Sequence, residues 1–364
     1  MRLTKLAGLV AALATVALRP ARGQPAAGPE MFSGIPATGI RALSALTDSV
    51  VWAAGTEGYV GMTTNGGRSW RFTRIPGAGE LDFRALAAFD SLHAVVANAG
   101  FPASIYRTRD GGRHWRRVFF RADTALFIDG MAFSGRRDGV AYGDPVKAPD
   151  GKRRFFLLHT TDGGRSWHRV PAQHSPVALA GEASFAASNS GICRTAGRIY
   201  LVTGGSAARV LSTGGSFRAW ETATPPMAHG KASAGIFSVS FRDRDHGVVV
   251  GGDYRSPDDR AGTAALTRDG GKRWLKPLVS PGGYRSCVLY VSAGTLLATG
   301  PSGTDLSTDD GMTWQPIDDQ GFNVMSKAPG GKSVFLGGAN GKLGVMRLST
   351  LNVSKHAGFS PVER

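Results

Sequence analysis

Three arginines share one local setting, each standing second in a short apolar run. They are Arg41 in "IRAL" (Ile40–Leu43), Arg84 in "FRAL" (Phe83–Leu86) and Arg285 in "YRSC" (Tyr284–Cys287). Asn323 holds the same place in "FNVM" (Phe322–Met325). Guanidinium forks at equivalent points of equivalent strands suit a carboxylate or another planar anion. The competing expectation is that each arginine pairs with a nearby acid such as Asp129 or Glu182. Other chemistries find less support. The eight histidines are scattered, with no HxxxH or HExxH spacing, so no metal site is expected. There is no G-x-S-x-G elbow. Glycine pairs such as Gly251-Gly252 end strands and do not open a helix, so no nucleotide or other cofactor is expected.

The elements that must position these residues announce themselves through repetition. Thr63–Trp70 reads "TTNGGRSW", Thr108–Trp115 "TRDGGRHW", Thr160–Trp167 "TTDGGRSW", Thr213–Trp220 "TGGSFRAW", Thr267–Trp274 "TRDGGKRW" and Ser307–Trp314 "STDDGMTW". The tryptophans (Trp70, Trp115, Trp167, Trp220, Trp274, Trp314) are spaced by 45, 52, 53, 54 and 40 residues. A period of this length marks one supersecondary unit per repeat. Within each unit the Ser/Thr ends a strand. The acid or amide two residues on (Asn65, Asp110, Asp162, Asp269, Asp309) accepts backbone N–H groups of the turn. The glycine four residues after the Ser/Thr supplies positive φ, and the tryptophan starts the returning strand as an apolar anchor. The fourth copy has Gly215 for the acid and Phe217 for the glycine, so its turn must be built differently.

Four strands fit in each period. In the first they are Ile40–Leu46, Val50–Gly55, Tyr59–Thr64 and Ser69–Ile75, with similar quartets expected from Phe83, Ile128, Glu182, Ile236 and Tyr284. A seventh unit from Phe322 has three strands and no box. The N-terminal Glu30–Pro36 can supply its fourth strand, with Phe32 in place of the tryptophan. The expected fold is therefore an all-β, seven-bladed β-propeller of four-stranded antiparallel blades, closed by the N-terminal strand; six blades is the alternative. The first strand of each blade lines the central channel. Read in register, the lining residues are Arg41, Arg84, Asp129, Ala183, Phe237, Arg285 and Asn323. Blades 6, 7, 1 and 2 are neighbours in a closed ring, so the three arginines and Asn323 would meet on one side of the channel.

The box pattern S/T-x-D-x-G-x-x-W resembles the Asp-box of bacterial neuraminidase-type repeats. Blades of the form "VAYGD" followed by "TTDGGRSW" resemble the photosystem II stability/assembly factor family, as do "GEASFAASNS" (Gly181–Ser190) and "LLATGPSGTDLSTDDGMTW" (Leu296–Trp314). The resemblance spans nearly all of the chain after its first residues. It implies a non-catalytic exported scaffold that holds other proteins during assembly. Sialidases also combine Asp-boxes with an arginine triad. On that alternative, Glu182 and Tyr284 would be the base and nucleophile of a hydrolase acting on an anionic sugar. "TRIPG" (Thr73–Gly77) follows the first box, on the wrong strand for the motif of that family.

Composition bounds these readings. Glycine contributes 51 of 364 residues, about twice the usual share, which fits many tight turns. Basic residues near the start (Arg2, Lys5), the apolar run Leu6–Leu18 and small residues before Gln24 read as a secretory signal over 1–23, followed by a single propeller domain over 24–364. Export to the periplasm or beyond is expected. The formal charge is +16; removing Arg2, Lys5, Arg19 and Arg22 leaves 16 − 4 = +12. Outside the cytoplasm such a charge favours an acidic protein, saccharide or lipid surface over nucleic acid. No later segment could span a bilayer, and a monomer is expected. Cys193 and Cys287 could pair or stay free. The sequence reads as a protein-binding scaffold, with the sugar hydrolase as the alternative.

Overall fold

A computed structural model describes residues 28–351. The expected secretory signal lies outside the described residues. The chain forms seven antiparallel sheets, six of four strands and one of five. The first blade is Ile40–Ala45, Val51–Gly55, Tyr59–Thr63 and Arg71–Arg74, paired in that order. The second, third, fourth, fifth and sixth follow from inner strands Phe83–Ala88, Gly130–Ser134, Ile192–Thr195, Lys231–Phe241 and Cys287–Ser292. The seventh consists of Val324–Lys327, Ser333–Gly337 and Leu343–Arg347, completed by the N-terminal Glu30–Met31, which pairs with Gly344 and Val345. Blades 7 and 1 are in direct contact: Asn323 Nδ2 donates to Ile40 O at 3.1 Å and Ala45 N to Ser326 Oγ at 3.0 Å.

The burial gradient explains the strand sequences. Second strands such as Val51–Gly55 and Ala94–Asn98 are buried at every residue, because blades pack on both of their faces. They are accordingly runs of small apolar residues and do not alternate. The outermost strands, such as Arg116–Arg121, are exposed and charged. Several second strands carry a glycine where they pass the start of the inner strand, for a steric reason. A Cβ on Gly143 would lie 1.6 Å from Phe127 O, on Gly251 2.0 Å from Gly235 O, and on Gly300 2.4 Å from Tyr284 O.

Five boxes share one geometry. The Ser/Thr hydroxyl accepts the N–H of the glycine four residues on at 2.9–3.0 Å (Gly67, Gly112, Gly164, Gly271, Gly311). The acid or amide accepts a second turn N–H at 2.9–3.1 Å, as with Asp110 and His114 or Asp162 and Ser166. These glycines have φ between 75° and 91°. In the fourth box Phe217 takes a positive φ of 59° and buries its ring, while Thr213 turns its hydroxyl onto Ala219 O. Phe32 does fill the tryptophan's role at the closing blade: it packs 6.0 Å from Trp70 and 6.4 Å from Phe335.

The fourth blade corrects the sequence reading. Its inner strand begins at Ile192, not Glu182. Glu182–Ala183 pairs with Gly204–Gly205, which in turn pairs with the fifth sheet. Ala183 therefore does not line the channel in register. The segment between, Ser184–Ser190, runs across the channel.

Candidate functional site

The crossing segment is tied to four other blades. Ser184 Oγ donates to Asp129 Oδ2 at 2.6 Å in blade 3. Ala186 O accepts Arg84 Nη1 at 3.0 Å, and Asn189 Nδ2 donates to Leu86 O at 2.9 Å, both in blade 2. Ser188 Oγ donates to Ser286 O at 2.7 Å in blade 6, and Ser190 Oγ to Ser238 Oγ at 2.7 Å in blade 5. Small and hydroxylic side chains suit this path, since every polar backbone group placed there needs a partner. The run "SFAASNS" lacks the alternation of a blade strand, and that was the signal for it in the sequence.

Arg41 and Arg84 do enter the channel. Each sits at an irregularity in its inner strand, between Ile40 and Ala42 and between Phe83 and Ala85, which frees the side chain from the regular pleat. Arg84 is held by Asp82, with Nε 2.7 Å and Nη2 2.6 Å from Oδ2. Arg41 Nε is buried and has no hydrogen-bond partner among the described residues. Burial lowers the pKa of Arg41, and the neighbouring charge of Arg84 lowers it further; Asp82 and Tyr284 act the other way. Asp82 bonds Arg84 alone and acts on Arg41 only as a nearby charge; its Oδ1 is buried without a partner among the described residues.

Arg285 does not join them. Its N–H donates to Gly251 O as that of Ile236 does to Thr203 O and that of Ile40 to Gly338 O, so it stands one place earlier in register than Arg41. The side chain points into blade 6 instead, with Nε 2.5 Å from Asp305 Oδ2 and Nη1 on Tyr284 O (2.9 Å) and Ser302 Oγ (3.0 Å). Both charged groups are buried, at 2% and 1% side-chain exposure. Ser286 takes the channel position. Aligning arginine on arginine misled because Tyr284 mimics Phe83. Asn323 is at the expected register but turns its amide onto Ile40 O and closes blade 7 onto blade 1.

Glu182 and Tyr284 are not brought together as an acid–nucleophile pair. Glu182 is enclosed by Arg209, Thr203 Oγ1 (2.6 Å) and Leu179 N (2.8 Å), and its carboxylate is fully buried. Tyr284 belongs to an aromatic group at the channel: Phe237 lies edge-on at 4.8 Å, Phe185 stacks on Phe237 at 3.9 Å, and Tyr254 is 6.4 Å away. Burial raises the pKa of the Tyr284 phenol; the charges of Arg41 and Arg84 oppose that. The site is thus two guanidiniums, one phenol and an aromatic wall.

Asp129 has a different role from channel lining. It is buried beside Asp144, and Ser184 bonds to both, its N–H reaching Asp144 Oδ1 at 2.9 Å. Burial first, and then the charge of Asp144, push Asp129 up to about 8. Burial raises Asp144 as well, so Asp129 holds a proton near neutral pH, with Ser184 bridging the two carboxyls. The Tyr142 hydroxyl is buried close by, without a partner among the described residues. Cys193 and Cys287 are free and lie in blades 4 and 6. No group of three or more His, Cys, Asp or Glu able to hold a metal ion occurs among the described residues, and no described helix could cross a membrane.

The architecture is that of a β-propeller, and similarity to solved structures agrees. YCF48 bound to a D1 peptide superposes with a TM-score of 0.62 at 16% identity, over 89% of this chain and 97% of that one. YCF48 from Cyanidioschyzon merolae gives 0.61 at 16% identity, over 89% and 100%. A GH74 enzyme of Niastella koreensis gives 0.52 at 13% identity, over 83% of this chain and 51% of that one. Identities this low establish a shared fold. No family model and no curated protein matches the sequence.

Proposed function

We propose that this protein is an exported, non-catalytic propeller scaffold. It seats a carboxylate-bearing segment of a partner protein against Arg41, Arg84 and Tyr284 in the channel. The observation that carries this reading is the buried Arg41 Nε, a charged donor without a partner among the described residues. Such a group costs free energy unless an acceptor meets it. Phe185 and Tyr254, packed over the buried Phe237, offer apolar surface beside it for the rest of a peptide. YCF48, with the same fold, has been solved with a peptide bound, which supports a peptide as the ligand class. The sialidase-type alternative loses ground because Glu182 is consumed by Arg209 and Thr203. The export signal and the box-propeller resemblance to photosystem II assembly factors support a role outside the cytoplasm.

Calorimetry with short peptides that differ only in a C-terminal carboxylate or carboxamide tests this. Carboxylate peptides should bind at least tenfold tighter than the amides, and Arg41→Gln should remove that preference. Equal binding of both forms, or a preference that survives Arg41→Gln, would overturn it.

A further inference from the structure

A second cluster of arginines stands on the outer rim, well apart from the channel. Arg107, Arg109, Arg116 and Arg165 line one cleft together with Asp110, His114, Trp115 and Val118. The sequence dictates this crowding. Arg107 and Arg116 are direct cross-strand partners at the edge of blade 2, a register that places two like charges side by side. Arg109 follows in the second box, and the turn of the third box brings Arg165 against them. Arg107 Nε reaches across to Gly163 O at 3.1 Å, which fixes its guanidinium at the seam between blades.

Two carboxylates stand against this charge, Asp110 in the cleft and Asp162 beside Arg107, and four guanidiniums against them leave 4 − 2 = 2 positive charges. Asp110 is itself committed to Thr108 Oγ1 (3.0 Å), His114 N (2.9 Å) and His114 Nδ1 (2.7 Å). Arg109, Arg116 and Arg165 make no ion pair among the described residues; what sets them apart from other unpaired arginines is that they line one cleft together with Arg107. Burial and then the charges of Arg165 and Arg109 depress the Arg107 pKa; the charge of Asp162 opposes them. A monocarboxylate would leave half of the excess unmatched. A phosphate monoester, with nearly two charges and three acceptor oxygens, or a pyrophosphate group fits better.

We infer that the cleft between the second and third boxes binds a phosphate oxyanion through Arg107, Arg109, Arg116 and Arg165. The group could be carried free in solution or on a phosphomonoester lipid headgroup, and both present the same chemistry to the arginines. This site is independent of the peptide reading of the channel.

The test uses the full mature chain. Inorganic pyrophosphate is titrated by calorimetry. In parallel, the protein is co-sedimented with phosphatidylcholine vesicles with and without phosphatidic acid. Arg165→Gln and Arg109→Gln remove exposed guanidiniums that hold no backbone group. Arg218→Gln removes one exposed charge from the fourth box as a control for bulk electrostatics. Binding should weaken at least tenfold in Arg165→Gln and Arg109→Gln, and stay within twofold of the parent in Arg218→Gln. Binding to pyrophosphate supports a free phosphate; binding to phosphatidic acid vesicles alone supports a headgroup. Failure to bind either probe, or equal losses in Arg218→Gln and Arg165→Gln, would overturn the site.

Discussion

Five box turns of this molecule put the same atoms in the same places, whereas no two lining positions of the channel share a set of partners. In the boxes, a hydroxyl, a carboxylate or amide and a positive-φ glycine recur within a tenth or two of an ångström in their key hydrogen bonds. In the channel, Arg84 is clamped by Asp82, Arg41 Nε has no partner among the described residues, and Ser286 and Asn323 satisfy neighbouring backbone. Repetition in this chain therefore reports what each blade needs to fold. Departure from repetition reports what one blade does alone. Substitutions in both classes can break or sharpen that contrast.

The largest effect is expected at Arg285. Its partner Asp305 lies in the same blade, and both are buried. Asp305→Ala strands a guanidinium in the interior and should cost about 3–5 kcal/mol in chemical denaturation. The double replacement Arg285→Met/Asp305→Leu should recover most of that loss, because two apolar groups leave no charge behind. If the double variant is as unstable as the single one, blade 6 depends on the pair for more than charge balance.

This pair also shows where the sequence could and could not be read. The boxes were legible because their chemistry is local: each hydrogen bond joins residues at most four apart. So were six blades, since the tryptophans mark their period; the seventh has no box and rests on its strands from Phe322 and the N-terminal segment, with six blades as the alternative. Arg285 was misplaced because register across blades is set by contacts far along the chain, such as Gly251 O on its own N–H. Glu182 was misread for a related reason. Its true partner Arg209 lies 27 residues on, beyond any local motif. The crossing of Ser184–Ser190 was illegible as position, because its contacts come from four other blades.

The next effect is in pH dependence. Asp129 titrates near 8 in the fold, against about 4 in an unfolded chain. Between those values the native state holds a proton that the unfolded state has released. Stability contributed by this group is therefore present at low pH and lost as pH rises from about 4 towards 8, at no more than about 1.4 kcal/mol per pH unit. Asp129→Asn should flatten that slope. The box aspartates run the other way: turn N–H and hydroxyl donors hold Asp162 and Asp269 at about 2, so their contribution is lost only as pH falls below 4. Denaturation midpoints at pH 5, 6.5 and 8 separate the two classes. A wild-type curve that rises steadily to pH 8 would contradict the raised Asp129.

Within the boxes, Asp162→Ala removes the acceptor of two turn N–H groups and two hydroxyls and should cost about 1–2 kcal/mol. Gly215→Asp restores the consensus residue to the fourth box, yet Phe217 holds that turn by burial, so the change should stay within about 0.5 kcal/mol. Thermal unfolding of both variants decides the matter. Gly215→Asp raising stability as much as Asp162→Ala lowers it would mean that the fourth box is a damaged copy of the others, not a different solution.

The smallest effect belongs to Tyr142, whose hydroxyl is buried between blades 3 and 4 with no partner among the described residues. Its ring packs against Ile192, at the true start of the fourth blade's inner strand, and a Cβ on Gly191 would stand 2.0 Å from its oxygen. The packing contribution lies in the ring, and the hydroxyl adds only a desolvated polar group. Tyr142→Phe should therefore be neutral or stabilise by less than about 1 kcal/mol, because deleting an unsatisfied group removes a cost without removing a bond. A loss larger than 1 kcal/mol would show that the hydroxyl reaches the Asp129–Asp144 pair in solution. The hydroxyl would then join the Asp129–Ser184–Asp144 network, and the pH slope assigned to Asp129 should change in Tyr142→Phe as well.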